Sequence, residues 1–271
     1  MSLPPPRENQ AYFTVSALES GHIHVVDRIF IDNPENDNLQ RIPSLSFLFQ
    51  HSTNNKKLLF DLGIRKDWQN SPPKILASIP PESGVEVEQD VIESFSKRSP
   101  LFPKSQFVVG GETMKIIEEG LWPEKEDSVY TSDVIPTDRT MFLGEDITWE
   151  PIGPLSRAYD FYGDGSLYVI DAPGHLWGHI NLLVRTSADG GWLYLAGDTA
   201  HHWNLITGKS GMACCHTAPI HVDEEAAEDM IRRVGEVSRL PRVRVILAHG
   251  RPWYEENEGG DAFYPGSIKS L

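Results

Sequence analysis

The sequence of 271 residues predicts an α/β protein of the α+β kind. We expect an αββα sandwich, in which two mixed β-sheets pack face to face and helices cover the outer faces. Each half of the chain begins with strand-like apolar runs and continues into a helix-like segment. With 39% hydrophobic residues, the chain can bury a sizeable core. We expect one domain over 1–271, with an N-terminal half of 1–110 and a C-terminal half of 111–271.

The N-terminal half is rich in predicted strands. Apolar or alternating residues indicate strands in AYFTVSALESGHIHVV, SLSFLFQ, LLFDLG and QFVVGG. Residues 87–98 predict a short helix, and TMKIIEEG predicts another helix that ends at Gly120.

The C-terminal half repeats the order of strands followed by a helix. Gly-Asp-Gly at 163–165 predicts a hairpin, and SADGG predicts a second one between two apolar runs. The segment 222–240 predicts the clearest helix, with Asp223 as its N-cap and an apolar face from Met230 to Val237. It leads into VRVILAHG, which reads as a buried strand.

The charge of the chain limits its partners. Lysine and arginine number 24 and aspartate and glutamate 39, so the net charge is −15. Such a surface repels phosphate backbones and anionic lipids, so we expect neither nucleic acid nor membrane as a partner. The first ten residues lack the apolar segment of a signal peptide. Adjacent cysteines such as Cys214 and Cys215 are poorly suited to a disulfide, so we expect reduced thiols and a cytoplasmic protein.

Acidic and imidazole side chains recur at the ends of predicted strands. They are Asp61, His179, Asp198 and His249. Strand ends meet at a sheet edge where loops gather, so these side chains are candidates for one shared site. Neutral imidazole and carboxylate groups suit zinc, iron or manganese, and an open coordination position lets such an ion activate water.

Four segments together resemble a known family. LLFDLG, DAPGHLWGHINLLV, LYLAGDTAHH and VILAHG look like motifs one, three, four and five of the metallo-β-lactamase superfamily, in the right order. The resemblance covers nearly the whole chain. It is strongest to the lactonase and thioesterase branch, including fungal biosynthetic members, where APGHxxGH and AGD are typical. It implies a hydrolase of lactones, thioesters or similar esters that acts on a small, secondary-metabolite-like substrate.

The resemblance also implies roles for single residues. His179 would be the third histidine of a first metal, Asp198 the carboxylate that bridges two metals, and His249 a ligand of the second metal. Asp198 and His249 are then the candidate catalytic residues. Asp61 would be a structural residue near the site, and His175 would lie behind the ligands or pack against them. Both are also candidate additional ligands.

The second motif of the superfamily, His-x-His-x-Asp-His, is missing. The matching region, 90–111, contains no histidine. Relatives run through a strand and the motif between similar flanks, whereas here the flanks are joined directly, which indicates a local deletion that shortens one half. A shortened inner strand leaves backbone groups without partners. We therefore expect either a homodimer through residues 91–106 or a rearranged loop there.

The missing motif also changes the expected metal content. In the superfamily the two remaining histidines serve different ions about 3.5–4 Å apart. We therefore expect at most one zinc, iron or manganese ion, weakly bound, and no dinuclear site. Histidines just past Asp198 are candidates for an additional ligand: His201 and His202. Other side chains are less favoured, as surface, hairpin or helix-start residues: His22, His24, Asp27, His216 and His221.

Three functions remain open on the sequence. The first is hydrolysis of a lactone, thioester or similar ester. The second is a non-hydrolytic acid–base enzyme, such as an isomerase, cyclase or decarboxylase, that reuses the pocket. The third is a catalytically dead homologue that binds a ligand or partner. In the third case, hydrogen bonds among His179, Asp198 and His249 would only rigidify the strand ends.

Overall fold

The computed structural model describes residues 2–80, 83–91, 105–133, 135–213 and 220–271. Its strands are β1 (Phe13–Val26), β2 (Leu39–His51), β3 (Lys57–Phe60), β4 (Gly84–Glu86), β5 (Phe107–Gly110), β6 (Thr140–Leu143), β7 (Glu150–Ile152), β8 (Leu155–Asp160), β9 (Leu167–Asp171), β10 (Ile180–Arg185), β11 (Trp192–Leu195) and β12 (Val243–Ile246). Its α-helices are α1 (Pro73–Ser78), α2 (Thr113–Glu119), α3 (Trp203–Thr207), α4 (Glu224–Val237) and α5 (Arg251–Asn257).

The described strands form two main sheets and a small one. The first sheet has the order β3-β2-β1-β4, and the second has the order β12-β11-β10-β9-β8-β7. The pairing of β11 with β12 is parallel, so the second sheet is mixed as predicted. The first sheet was also predicted to be mixed, but all its described pairings are antiparallel, because β1, β2 and β3 follow one another as hairpins. The parallel pair β5–β6 forms a separate sheet.

The two main sheets share a core between their inner faces. Alternate residues of β1 and β2 point inward and meet inward residues of the second sheet, as the period of two in a strand requires. Phe13 and Phe49 meet edge to face, with ring centroids 6.0 Å apart. The main apolar contributors are Phe13, Val15, Leu45, Phe47, Phe49, Leu182, Val184, Leu193, Leu195 and Ile246. This packing confirms the predicted two-sheet sandwich.

Helix α4 covers the outer face of the second sheet. Its buried residues include Met230, Ile231, Val234 and Val237, as the sequence predicts. The carboxylate of Asp223 accepts a hydrogen bond from the backbone N–H of Ala226 at 3.0 Å, which confirms the predicted N-cap.

The region of the predicted deletion is only partly described. Strand β5 and helix α2 lie where the sequence predicts them, and Gly120 follows α2 with a φ of 100°. Residues 92–104 lie outside the described residues. Residues 87–90 are described and are not helical, so the predicted helix does not begin at residue 87. Its part over 92–98, the deletion and the homodimer through 91–106 stay predictions, and so does the state of Cys214 and Cys215. Among the helices of the described ranges, none combines the length and apolarity that crossing a membrane requires.

Candidate active site

The strand ends bring the predicted site residues to one edge of the second sheet. Strands β11 and β12 run parallel, so the loops that follow them, which carry Asp198 and His249, leave from the same edge. Strand β10 runs antiparallel to β11, so His179, just before β10, lies at that edge as well. The Nε2 atom of His249 lies 3.2 Å from Oδ1 of Asp198.

Two further imidazoles approach the same carboxylate. Nε2 of His175 lies 3.7 Å from Oδ2 of Asp198, and Nε2 of His201 lies 3.7 Å from Oδ1. One ligand atom from each of these three side chains lies within 4.8 Å of the others. The resemblance implied that His175 lies behind the ligands, packs against them or adds a ligand. The structure places its imidazole beside Asp198, and its role there stays a proposal.

Both ring nitrogens of His179 already have partners in the backbone. Nδ1 donates to the carbonyl of Ala172 at 3.2 Å, and Nε2 accepts from the N–H of Asp198 at 3.3 Å. Burial lowers the pKa of His179 to about 4, so the ring is neutral at physiological pH. This imidazole connects the strand ends through hydrogen bonds, which is one of the two roles expected for it. Its other expected role, as a metal ligand, stays a proposal.

His249 is oriented by a backbone carbonyl of the other sheet. Its Nδ1 donates to the carbonyl of Pro43 at 2.7 Å, which points Nε2 at Asp198. Burial acts to lower the pKa of His249, but the neighbouring carboxylate of Asp198 outweighs it and raises the pKa. Burial likewise acts to raise the pKa of Asp198, but His249 and the other imidazoles hold it well below its usual value. Asp198 is therefore ionised.

Asp61 lies close enough to Asp198 for the charge of that carboxylate to change its pKa. Its backbone has a φ of 64°, and its Oδ1 accepts a hydrogen bond from the N–H of Gly63 at 2.8 Å. Burial first, and then the charge of Asp198, raise the pKa of Asp61 to about 6. The residue thus shapes the turn after β3, beside the site.

Several polar atoms of the cluster are buried without a hydrogen-bond partner. They include Oδ1 of Asp198, Nδ1 of His175 and Nδ1 of His221. Most buried polar atoms in folded proteins are hydrogen-bonded. Oδ1 of Asp198 instead lies 3.2 Å from His249 and 3.7 Å from His201 without a hydrogen bond, so it is free to act as a ligand of a cation. The donor set of two imidazoles and a carboxylate suits a single divalent ion such as zinc, iron or manganese. The residues present therefore fit one metal ion.

His221 belongs to the same cluster of rings. Its ring centroid lies 5.5 Å from that of His175 and 5.5 Å from that of His201. His201 also stacks on Phe30, with centroids 5.1 Å apart and planes 9° apart. The sequence predicts His221 only as a surface or helix-start residue, because it does not reveal the path of the preceding loop. His216 lies outside the described residues.

The other histidines weighed in the sequence have different partners. His202 caps helix α3, because its Nδ1 accepts from the N–H of Asn204 at 3.2 Å. The Nε2 atom of His202 lies 3.9 Å from the carboxylate of Asp27. His22 bonds to the hydroxyl of Tyr254 at 2.9 Å. His24 lies 3.2 Å from Glu86. None of these four contacts involves Asp198.

A cleft of about 220 Å³ opens beside the cluster. Two members of the cluster, His201 and His249, form part of its wall. Phe30 and Trp203 supply aromatic surface, and Arg251 supplies a positive charge. The sequence alone does not single out Phe30, Trp203 or Arg251. They lie on loops and helix starts whose positions depend on the packed fold.

Two glycines hold the loop between β9 and β10 in place. A Cβ atom on Gly174, where φ is 129°, would lie 2.5 Å from the backbone of Ala227 in α4. A Cβ atom on Gly178, where φ is 78°, would lie 2.2 Å from the side chain of Thr113 in α2. Only glycine permits both close approaches. The loop that carries His175 is therefore packed tightly between two helices.

The two packed sheets, with a His–Asp cluster at one sheet edge, define the class of fold, and comparisons with known proteins agree with it. No family model matches the chain. It is 32% identical over 184 residues to gamma-lactamase MBL2 of Gibberella moniliformis, covering 54% of this chain and 71% of that protein. It is 30% identical over 189 residues to gamma-lactamase FDB1 of Fusarium pseudograminearum, covering 59% of this chain and 45% of that protein.

A solved structure gives the same fold. An N-acyl homoserine lactone hydrolase with N-hexanoyl-L-homoserine at its catalytic metal centre matches with a TM-score of 0.66 and 14% identity, covering 99% of this chain and all of that one. At this identity the match shows the fold alone. The chain belongs to the metallo-β-lactamase superfamily. It spans less than half the length of several curated relatives that it matches.

Proposed function

We propose that this protein is a metal-dependent hydrolase that opens the ring of a small lactam or lactone, of the kind made in secondary metabolism. The observation that carries the proposal is the ionised carboxylate of Asp198, which lies among imidazoles beside the cleft. The two gamma-lactamases support a cyclic amide as the substrate class. The lactone hydrolase of the same fold supports a cyclic ester as a related class.

Different residues would bind the metal, contact the substrate and orient the site. Asp198 and neighbouring imidazoles would hold one divalent ion. When bound, such an ion supplies Lewis-acid activation of a carbonyl group and lowers the pKa of water. Phe30 and Trp203 would pack against the apolar part of the substrate and exclude bulk water. The Pro43 carbonyl fixes the ring of His249, which would otherwise rotate away from Asp198.

A single ion is part of the proposal. The His-x-His-x-Asp-His motif is absent from the sequence, so the superfamily's usual supply of ligands is reduced. The alignment with metallo-hydrolase mfmC of Annulohypoxylon moriforme supports a deletion, because it extends over 312 positions although the chain has 271 residues. The relative thus has additional residues within the matched region.

A second candidate function is acid–base catalysis without hydrolysis. The contact between His249 and Asp198 favours it, because an imidazole beside a carboxylate at a cleft can transfer protons without a metal. An isomerase, cyclase or decarboxylase would use the site in this way.

The test is an assay of the purified chain, supplied with zinc, manganese or ferrous iron, on a panel of γ-lactams, lactones and thioesters. We expect a product that has gained one water, detected by mass spectrometry, and loss of that product in Asp198→Asn. Asp223→Asn is the matched control, because this carboxylate caps α4 outside the cluster. A metal-loaded, folded protein that adds water to no substrate would contradict the proposal, and a product without added water would favour acid–base catalysis.

A further inference from the structure

We propose that the metal site of this chain has moved, and that His175, Asp198 and His201 hold the ion. The superfamily resemblance points instead to His179, Asp198 and His249. The inference rests on the metal dependence of the proposed function but not on the identity of the substrate. It assigns ligand roles to two histidines that the motif pattern leaves without one.

Spacing is the first argument for the moved site. The Nε2 atoms of His175 and His201 each lie 3.7 Å from a different oxygen of Asp198. Their ring centroids are 5.2 Å apart. Within the described parts of the chain, this is the group whose ligand atoms all lie within 4.8 Å of one another, and neither His179 nor His249 belongs to it. An ion between the three atoms would reach normal bond lengths of about 2.0–2.2 Å after small side-chain shifts.

The second argument is that His179 and His249 already have other polar partners. Nε2 of His179 accepts the backbone N–H of Asp198, so a metal at this nitrogen would break that hydrogen bond. His249 points at the same oxygen of Asp198 from a distance of 3.2 Å, held there by the Pro43 carbonyl. The imidazole of His249 can therefore stay paired with Asp198 while the ion lies between Asp198, His175 and His201.

Support behind the two proposed ligands is the third argument. His201 is held flat against Phe30. The His175 loop is tied to the start of α4, because the N–H of Val222 donates to the carbonyl of His175 at 3.2 Å and the N–H of Asp223 donates to that of Gly174 at 3.0 Å. The stacked ring and the anchored loop restrict the motion of the two imidazoles, so less conformational entropy is lost when they bind an ion.

Access is the fourth argument. The side chain of Asp198 is 30% exposed although its Oδ1 is buried, and that of His201 is 8% exposed. His201 also lines the cleft. An ion held here would keep an open position toward the cleft, as a catalytic metal needs.

The test measures zinc and cobalt binding to single variants of the full chain, without any substrate. Isothermal titration gives the affinity and stoichiometry for Zn²⁺, and the visible absorption of Co²⁺ reports the ligand geometry. We expect one equivalent of metal in the original protein. We expect at least about a 100-fold loss of affinity and an altered Co²⁺ spectrum in His175→Ala and in His201→Ala.

His179→Ala and His249→Ala are the matched comparison. We expect each of them to lower the Zn²⁺ affinity by only about 10-fold, because both contact the ligand Asp198 without holding the ion themselves. Circular dichroism of the metal-free variants checks folding. If an alanine variant unfolds, His175→Gln and His201→Gln replace it, since an amide keeps polar atoms in place of the ring. The inference is overturned if His179 and His249 control binding, if two ions bind, or if the folded protein binds none.

The two proposals fail in different ways. Zinc that binds through His175 and His201 without any ring-opening activity would leave this inference standing and contradict the proposed function. Metal-dependent ring opening in a protein whose zinc binding depends on His179 and His249 would support the proposed function and contradict this inference.

Discussion

His249 and Asp198 meet at the ends of two parallel strands, with Nε2 and Oδ1 3.2 Å apart. The imidazole is held from behind by the Pro43 carbonyl, so one sheet orients a side chain of the other. The contact raises the pKa of His249 and lowers that of Asp198. In the metal-free protein the two groups therefore form an ion pair at the mouth of the cleft.

This pair predicts a measurable coupling energy. We expect His249→Ala to destabilise the metal-free protein by about 1–3 kcal/mol, because it leaves the charge of Asp198 with weaker partners. The partial exposure of Asp198 keeps the effect at the lower end of the range for buried pairs. Urea denaturation of both single variants and of His249→Ala with Asp198→Asn completes a double-mutant cycle. Strictly additive losses would show that the pair contributes no stability.

The close approach at Gly174 predicts a second effect. A Cβ atom there would lie 2.5 Å from backbone atoms of Ala227, so Gly174→Ala must displace the His175 loop from α4. We expect a loss of about 2–4 kcal/mol. Gly163→Ala is the control, because that glycine also has a positive φ but no atom within 4 Å of the added Cβ. Equal losses in the two variants, measured by thermal or urea unfolding, would contradict the role of the contact.

His22 predicts a dependence of stability on pH. Its ring is buried, its Nδ1 accepts from Arg41 at 3.0 Å, and burial followed by the charge of Arg41 lowers its pKa to about 4. Below about pH 6.5 the unfolded chain binds a proton at His22 while the folded chain does not. Stability is therefore lost as the pH falls, down to about pH 4, where the folded form also takes the proton.

The measurement is urea denaturation at about pH 7.5 and about pH 5. We expect His22 to account for a loss of about 2 kcal/mol between them, and His22→Gln to remove that share. His24→Gln serves as the control, since that neighbouring imidazole is one-third exposed. A variant that keeps the full acid sensitivity would contradict the assignment. The titratable or charged groups around His22 are Glu19, His24, Arg41, Glu86, Tyr254 and Glu258.

The cap of α4 predicts a smaller effect. Asp223→Ala removes the acceptor for the N–H of Ala226, and we expect a loss of about 0.5–2 kcal/mol. Asp223→Asn keeps an acceptor oxygen and should retain most of the stability. If thermal unfolding shows the same loss in both variants, the charge rather than the hydrogen bond carries the effect.

The sequence predicted the parts of the molecule that depend on local pattern. The alternation in β1 and β2, the apolar face of α4 and the Asp223 cap all follow from spacing along a few residues. Strand ends also brought Asp198 and His249 to one edge, because two parallel neighbours end on the same side of a sheet.

What the sequence did not reveal depends on loops and on contacts between distant segments. The positions of His175 and His221 in the cluster follow from how the β9–β10 loop packs against the start of α4. The Pro43 carbonyl that orients His249 comes from a residue 206 positions away. Phe30, Trp203 and Arg251 reach the cleft only once both sheets are packed. No local pattern encodes such distances.

Anomalous diffraction at the zinc edge, from crystals of the full chain supplied with Zn²⁺, tests the central claim most directly. We expect one peak per chain, within bonding distance of Nε2 of His175, Nε2 of His201 and a carboxylate oxygen of Asp198. Two peaks, a peak bound by His179 or His249 instead, or no peak beside Asp198 would contradict it.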